Sequence, residues 1–160
     1  MPTATLDPAR ITWAMRAAFL ALVIGGGLTI GAVTAPGEWY AALNKPWFNP
    51  PGWIFGPVWT VLYVLIAMVG WRAYAAGPSS PRMRLWWGQL ALNFVWSPVF
   101  FALQRPDLAL LVILALLMTL VMLLRTCWSK DRPSALALLP YLAWVSFASL
   151  LNLSIFILNP

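Results

Sequence analysis

The sequence predicts an all-α, polytopic membrane protein, a bundle of five transmembrane helices, and three observations carry that prediction. Hydrophobic residues make up 62% of the chain and charged residues 9%, against roughly 45–50% and about 25% in ordinary globular proteins. A water-soluble fold has nowhere to hide so much apolar surface. Five stretches reach the ~20 apolar residues that a helix needs to cross hydrocarbon. The basic residues fall mostly on alternate connections, as the positive-inside bias requires.

The five predicted helices cover about 11–33, 53–75, 85–104, 107–127 and 134–158. The first follows a short segment, Met1 to Arg10, and its apolar run continues past Ala32. That is longer than the core of a cleaved signal peptide, so it reads as a retained helix. Arg16 sits near its start and can snorkel to the interface. Gly27 and Gly31 form a GxxxG spacing that suits close helix packing or dimerisation. The second and third stretches carry Pro57, Gln89, Asn93 and Pro98, and such groups at membrane depth face protein rather than lipid. The fourth has no charged residue from Leu108 to Leu124, and the fifth has none from Ser134 to Pro160. No internal repeat or second domain appears, so residues 1–160 read as a single domain.

The connection at 34–52 is the longest. It combines Pro36, Pro46, Pro50 and Pro51 with Trp39, Tyr40, Trp47 and Phe48. Proline stiffness and aromatic bulk predict an ordered lid, and the alternative is an interfacial loop whose aromatics lie at headgroup level. Gly37 to Leu43 has room for one or two helical turns, with Glu38 placed where the helix dipole favours it.

Arg10, Arg16, Arg72, Arg82, Arg84, Arg125, Lys130 and Arg132 lie on one side of this arrangement, and only Lys45 and Arg105 on the other. The bias predicts a cytoplasmic amino terminus, a carboxy terminus on the opposite side, and insertion into a cytoplasmic membrane, bacterial by expectation, with an outer membrane as the alternative. Because the cations are scattered singly between apolar runs, they form no patch for nucleic acid. With one cysteine, Cys127, and no histidine, no disulfide or metal-ligand spacing exists to be read. Asp7, Glu38, Asp107 and Asp131 all fall in loops or at helix ends, so no carboxylate at membrane depth supports ion-coupled transport. The same lack of a buried base argues against hydrolase chemistry.

Eleven tryptophans need an account. By position Trp13, Trp71, Trp86, Trp87 and Trp128 fall at one interface and Trp39, Trp47 and Trp53 at the other, as an aromatic belt would have it. Trp59, Trp96 and Trp144 remain, at roughly 9, 16 and 15 Å inside the bilayer by helical rise. A buried indole wants a partner for its N–H, so these three are expected to point into the bundle. Gln89, Asn93 and Trp96 share one helix side, as do Trp144, Ala148 and Asn152, and as do Trp59 and Tyr63. Two readings fit: a slot for a planar aromatic guest, or interhelical amide glue with tryptophan filler.

A resemblance bears on that choice. The stretch from Glu38 through Lys45-Pro-Trp-Phe-Asn-Pro-Pro-Gly-Trp-Ile-Phe-Gly-Pro-Val-Trp59 to Tyr63 resembles the first loop and second helix of the TspO, or translocator protein, family. Gln89 to Phe101 and Pro140 to Asn152 resemble its third and fifth helices. The resemblance implies a five-helix bundle, commonly a homodimer, whose cavity is capped by the first loop, with Trp39, Lys45 and Trp47 in that lid. It implies porphyrins such as protoporphyrin IX as ligands, sterols in some members, and no required cofactor. The cavity residues it implies are Trp59, Asn93, Trp96, Trp144 and Ala148, with Gly56, Pro57, Phe101 and Leu151 nearby. Light-dependent oxidative degradation of porphyrin, with Trp59 and Trp144 as electron donors, is the enzymatic alternative, and a ligand-free structural partner in the membrane is another. Two departures stand out: the terminal run Leu153 to Pro160 lacks the Tyr-then-basic pattern of sterol-recognising members, and Leu108 takes the place of a tryptophan found in animal members.

Overall fold

The computed structural model describes residues 11–160, and Asp7 and Arg10 lie outside them. The described chain is helical, with no strand. It forms α1 (Trp13–Val33), α2 (Glu38–Ala42), α3 (Phe55–Ala76), α4 (Pro81–Ser97), α5 (Pro106–Trp128) and α6 (Arg132–Leu158). Four of these, α1, α3 with the turn before it, α5 and α6, are long and apolar enough to cross a membrane. The remaining long helix, α4, has 17 residues and continues through one wider π-type turn at Pro98–Ala102.

Local chemistry sets the ends. Thr12, Ser80 and Asp131 cap α1, α4 and α6 by accepting the amides of Met15, Met83 and Ser134, which satisfies donors that a helix start leaves free. Proline at the first turn of α4, α5 and α6 suits positions where no N–H is needed. Gly77, at φ 151°, closes α3 in a conformation other residues avoid. Hydropathy alone starts the third predicted helix at 85, because Arg82 and Arg84 break the apolar run. The Ser80-Pro81 start signal moves that beginning four residues earlier. Pro98 lacks an amide hydrogen, and beyond it Leu103 donates to the Pro98 carbonyl at 2.9 Å, a wider turn of the kind often found at functional sites. The short helix expected within 37–43 is present as α2, with Glu38 in its first turn.

The long helices close into a ring, α1 against α3, α3 against α6, α6 against α5, α5 against α4, and α4 back against α1. Away from the 34–52 loop the ring is filled. Phe19, Val23, Ile66, Ala67, Met83, Trp86, Leu120 and Leu123 are buried there together. Depth along the helix places Trp86 in the interfacial belt, but it is 0% exposed. Its N–H donates to the Ile66 carbonyl at 2.8 Å, and a Cβ on Gly70 would lie 2.5 Å from its ring. Depth along a helix says nothing of the side a residue faces, and here a glycine on the neighbouring helix leaves room for the indole.

The same end carries a buried ion cluster. Asp131 accepts from Arg72 Nε at 3.1 Å, from Arg82 at 3.3 Å and from the Ser134 hydroxyl at 2.6 Å. Burial alone would raise the Asp131 carboxyl, yet the hydrogen bonds from Arg72 and Ser134 outweigh it and hold it below the ordinary carboxylate range. Arg72 and Arg82 therefore tie α3 and α4 to the start of α6, beyond any part they play in orienting the chain. The GxxxG glycines are also used internally: Gly27 receives the Tyr63 ring, and Gly31 faces the interior cavity.

Candidate functional site

Toward the 34–52 loop the ring of helices is hollow. The cavity has a volume of about 640 Å³ and takes walls from all five long helices and a roof from the loop. That size lies within the ~300–1,000 Å³ range of small-molecule sites.

Its walls rest on the polar residues of α4 and α6. The Asn93 amide donates to the Tyr141 hydroxyl at 2.8 Å, which in turn donates to Gln89 Oε1 at 3.0 Å. Trp96 N–H donates to Asn152 Oδ1 at 3.1 Å, and Asn152 Nδ2 donates to the Pro106 carbonyl at 2.8 Å. These amides thus act as interhelical ties and stand at the edge of a cavity. They join α4, α5 and α6, and Asn93, Trp96 and Asn152 also border the hollow. Gln89 and Tyr141 lie beneath it, buried, and the Gln89 Nε2 has no partner among the described residues.

Trp59, Trp96 and Trp144 all line the cavity, and so do Gly56, Asn93, Phe101, Ala148 and Leu151. Of the three indoles only Trp96 has its N–H bonded among the described residues. Trp59 leans on Tyr63 with ring centroids 5.3 Å apart, and Trp144 meets Phe55 edge-on at 5.7 Å. Pro57 is different: it faces outward, onto a shallow groove between α3 and α6 that it shares with Pro140 and the other side of Trp144. One residue after Gly56, it is rotated about 100° around the helix. Trp144 is therefore the partition between the interior and that outer groove.

The 34–52 loop roofs the hollow, and the residues expected in it as a lid play unequal parts. Trp47 is 95% exposed and does not line the cavity; it projects outward, as an interfacial aromatic does. Trp39 packs edge-on against Phe100 at 5.8 Å and fastens the lid to the π-type turn. Lys45 donates to the Ala41 and Leu43 carbonyls, both at 3.1 Å, with its ammonium 4.7 Å from the Tyr40 ring centroid. The roof itself is formed by Pro36, Tyr40, Asn49 and Pro50. Tyr40 donates to Asn49 at 3.3 Å, and burial pushes its hydroxyl pKa upward. Pro36, Tyr40 and Pro50 belong to the proline and aromatic set that predicts a lid, whereas Asn49, Phe94 and a Thr34–Ser97 hydroxyl pair at 2.6 Å escaped the sequence reading. No periodicity marks a loop residue as facing down, and Phe94 is set apart from Asn93 only by helix rotation.

No Lys, Arg, Asp or Glu is among the residues lining the cavity. It is an uncharged compartment rich in aromatic side chains, with amide and hydroxyl groups along its edges.

The family model described as TspO/MBR matches residues 18–158. The chain belongs to the TspO/MBR family. Among the relatives of this TspO/MBR chain, the tryptophan-rich protein TspO of Archaeoglobus fulgidus is 44% identical over 76% of this chain and 80% of its own length. The tryptophan-rich sensory protein of Cereibacter sphaeroides is 36% identical over 92% of each. The human translocator protein is 37% identical over 79% of each. Membership in TspO/MBR, with its apolar helices, makes this an integral membrane protein.

Proposed function

We propose that this protein is a membrane receptor or carrier that binds a planar hydrophobic ligand, a porphyrin such as protoporphyrin IX, inside the bundle. The observation that carries the reading is the roofed cavity of about 640 Å³, lined by three indoles and no charged side chain. A tetrapyrrole offers two broad faces for stacking on Trp59, Trp96 and Trp144. Aromatic pairs of this kind contribute about 0.5–1.5 kcal/mol each beyond their area. Asn93 and the Thr34–Ser97 pair supply hydrogen-bonding edges. Ionised propionates are costly to bury unpaired, so they lie at the rim, where Lys45 is a nearby cation.

In this reading the chain crosses the bilayer five times. The fifth crossing is α4 with its π-type turn, together 22 residues from Pro81 to Ala102, or about 33 Å at the helical rise. The lid then lies on the side away from the cytoplasm, and the Arg72, Arg82 and Arg84 end faces it, in accord with the positive-inside bias. The family resemblance supports a homodimer.

The test is a titration of protoporphyrin IX into the purified protein, followed by tryptophan quenching. Saturable quenching that weakens in Trp144→Ala and in Asn93→Ala supports the site. Quenching that is unchanged in both variants removes it.

A further inference from the structure

The helices α1 and α3 do not stay together along their length. Away from the lid they are in tight contact, and a Cβ built on Gly27 would fall 2.2 Å from the Tyr63 ring. Deeper still, a Cβ on Gly70 of α3 would fall 2.7 Å from Phe19 of α1. Toward the lid this contact ends. A Cβ on Gly31 of α1 or on Gly56 of α3 meets no atom within 4 Å, yet both glycines line the cavity. Leu28 of α1 and Thr60 of α3 line it as well and are exposed, Leu28 by 65%. Residues that border the hollow and are also open to the outside mark a slot between the two helices. In the five-crossing reading its outer side faces the bilayer, because α1 and α3 are each long and apolar enough to cross a membrane.

The lid, in contrast, is fastened down. The Asn44 backbone N–H donates to Asn159 Oδ1 at 2.9 Å, and Asn159 Nδ2 donates back to the Asn44 carbonyl at 3.0 Å. This reciprocal pair clips the lid to the end of α6. Tyr40 holds Asn49, and Trp39 and Tyr40 both pack on Phe100. Lifting the roof off the bundle breaks the Asn44–Asn159 pair and the packing of Trp39 and Tyr40 on Phe100, whereas passage through the slot breaks neither.

We propose that the gap between α1 and α3 at Gly31 and Gly56 is a lateral portal, through which an apolar ligand dissolved in the bilayer reaches the cavity while the lid stays shut. The inference rests on the ligand reading above and adds the route. A flat molecule partitions into the hydrocarbon and passes edge-on between two glycines, and its polar edge trails toward the interface.

The experiment compares two variants in lipid nanodiscs preloaded with protoporphyrin IX. Gly31→Leu/Gly56→Leu plugs the gap. Each leucine enters open space and improves helix propensity, so the fold is retained. Asn44→Cys/Asn159→Cys, oxidised to a disulfide, locks the lid, and the natural Cys127 is buried and does not compete. The portal predicts that plugging slows both association and dissociation by tenfold or more, while locking the lid leaves both rates within twofold. Slower dissociation is the decisive sign, because a merely damaged binding wall releases ligand faster. The reverse pattern, with exchange stopped by the locked lid and indifferent to the plug, overturns the portal. Should the unaltered protein take up no porphyrin, the ligand assignment fails by itself, and the slot is read without it. In bilayers of phospholipid brominated along the acyl chain, the Trp59 emission, obtained by difference from Trp59→Phe, is quenched. The plugged variant loses at least half of that quenching, and an unchanged value overturns the portal.

Discussion

Replacing Trp144 with alanine removes the partition between the interior cavity and the outer groove. About 80 Å² of one indole face would lie against a bound porphyrin, and at ~25 cal/mol per Å² that contact is worth about 2 kcal/mol. Since each ~1.4 kcal/mol is tenfold in affinity, Trp144→Ala is expected to weaken binding of protoporphyrin IX roughly 30-fold. Trp144→Phe keeps most of the face and recovers most of the affinity. The matched control is Trp87→Ala: Trp87 is exposed and absent from the cavity lining, and its loss leaves the dissociation constant within about twofold. Quenching titrations in nanodiscs measure all three. A thermal melt of each variant separates lost contact from lost fold, because Trp144 also meets Phe55 and Phe147. Equal weakening in Trp87→Ala and Trp144→Ala, with melts unchanged, would refute the reasoning, and so would full affinity in Trp144→Ala.

Further outcomes follow from the polar and packed parts of the fold. Tyr141→Phe strips the hydroxyl that serves both Asn93 and Gln89. Leaving buried amide groups unpaired costs about 1–3 kcal/mol, seen as a lower denaturation midpoint in detergent. Asp131→Asn leaves Arg72 and Arg82 without their counter-charge, and breaking a buried pair typically costs about 3–5 kcal/mol. Because the Asp131 carboxyl is held below the ordinary aspartate value of 3.8, its contribution is complete above that pH and is lost as pH falls through the lowered pKa. The parent protein should thus lose melting temperature in strong acid, while Asp131→Asn responds less over the same interval. Trp86→Ala empties a fully buried site against Gly70 and is expected to cost about 3–5 kcal/mol. Trp47→Ala, at an exposed lid position, stays within about 0.5 kcal/mol in a chemical denaturation series.

How far the sequence alone reaches is clearest in the tryptophans. Helical rise identified Trp59, Trp96 and Trp144 as residues too deep for a headgroup region, and all three border the hollow. The same argument misassigned Trp86, because depth is one-dimensional and burial is decided around the helix axis by the neighbour's size. Composition, hydrophobic run length and the spacing of polar residues along α4 and α6 determine that this chain enters a membrane, where its helices lie, and which side of α4 and of α6 turns inward. These are properties of one helix in one solvent, readable residue by residue. Only the tertiary structure decided that Asn93 and Asn152 both join helices and border a cavity, that Pro57 looks outward while Gly56 looks in, and that Asn44 is latched to Asn159 across more than a hundred residues of chain. Such contacts depend on how far apart two helices stand, and that separation is set by which glycine meets which ring, as Gly27 meets Tyr63 while Gly31 meets nothing.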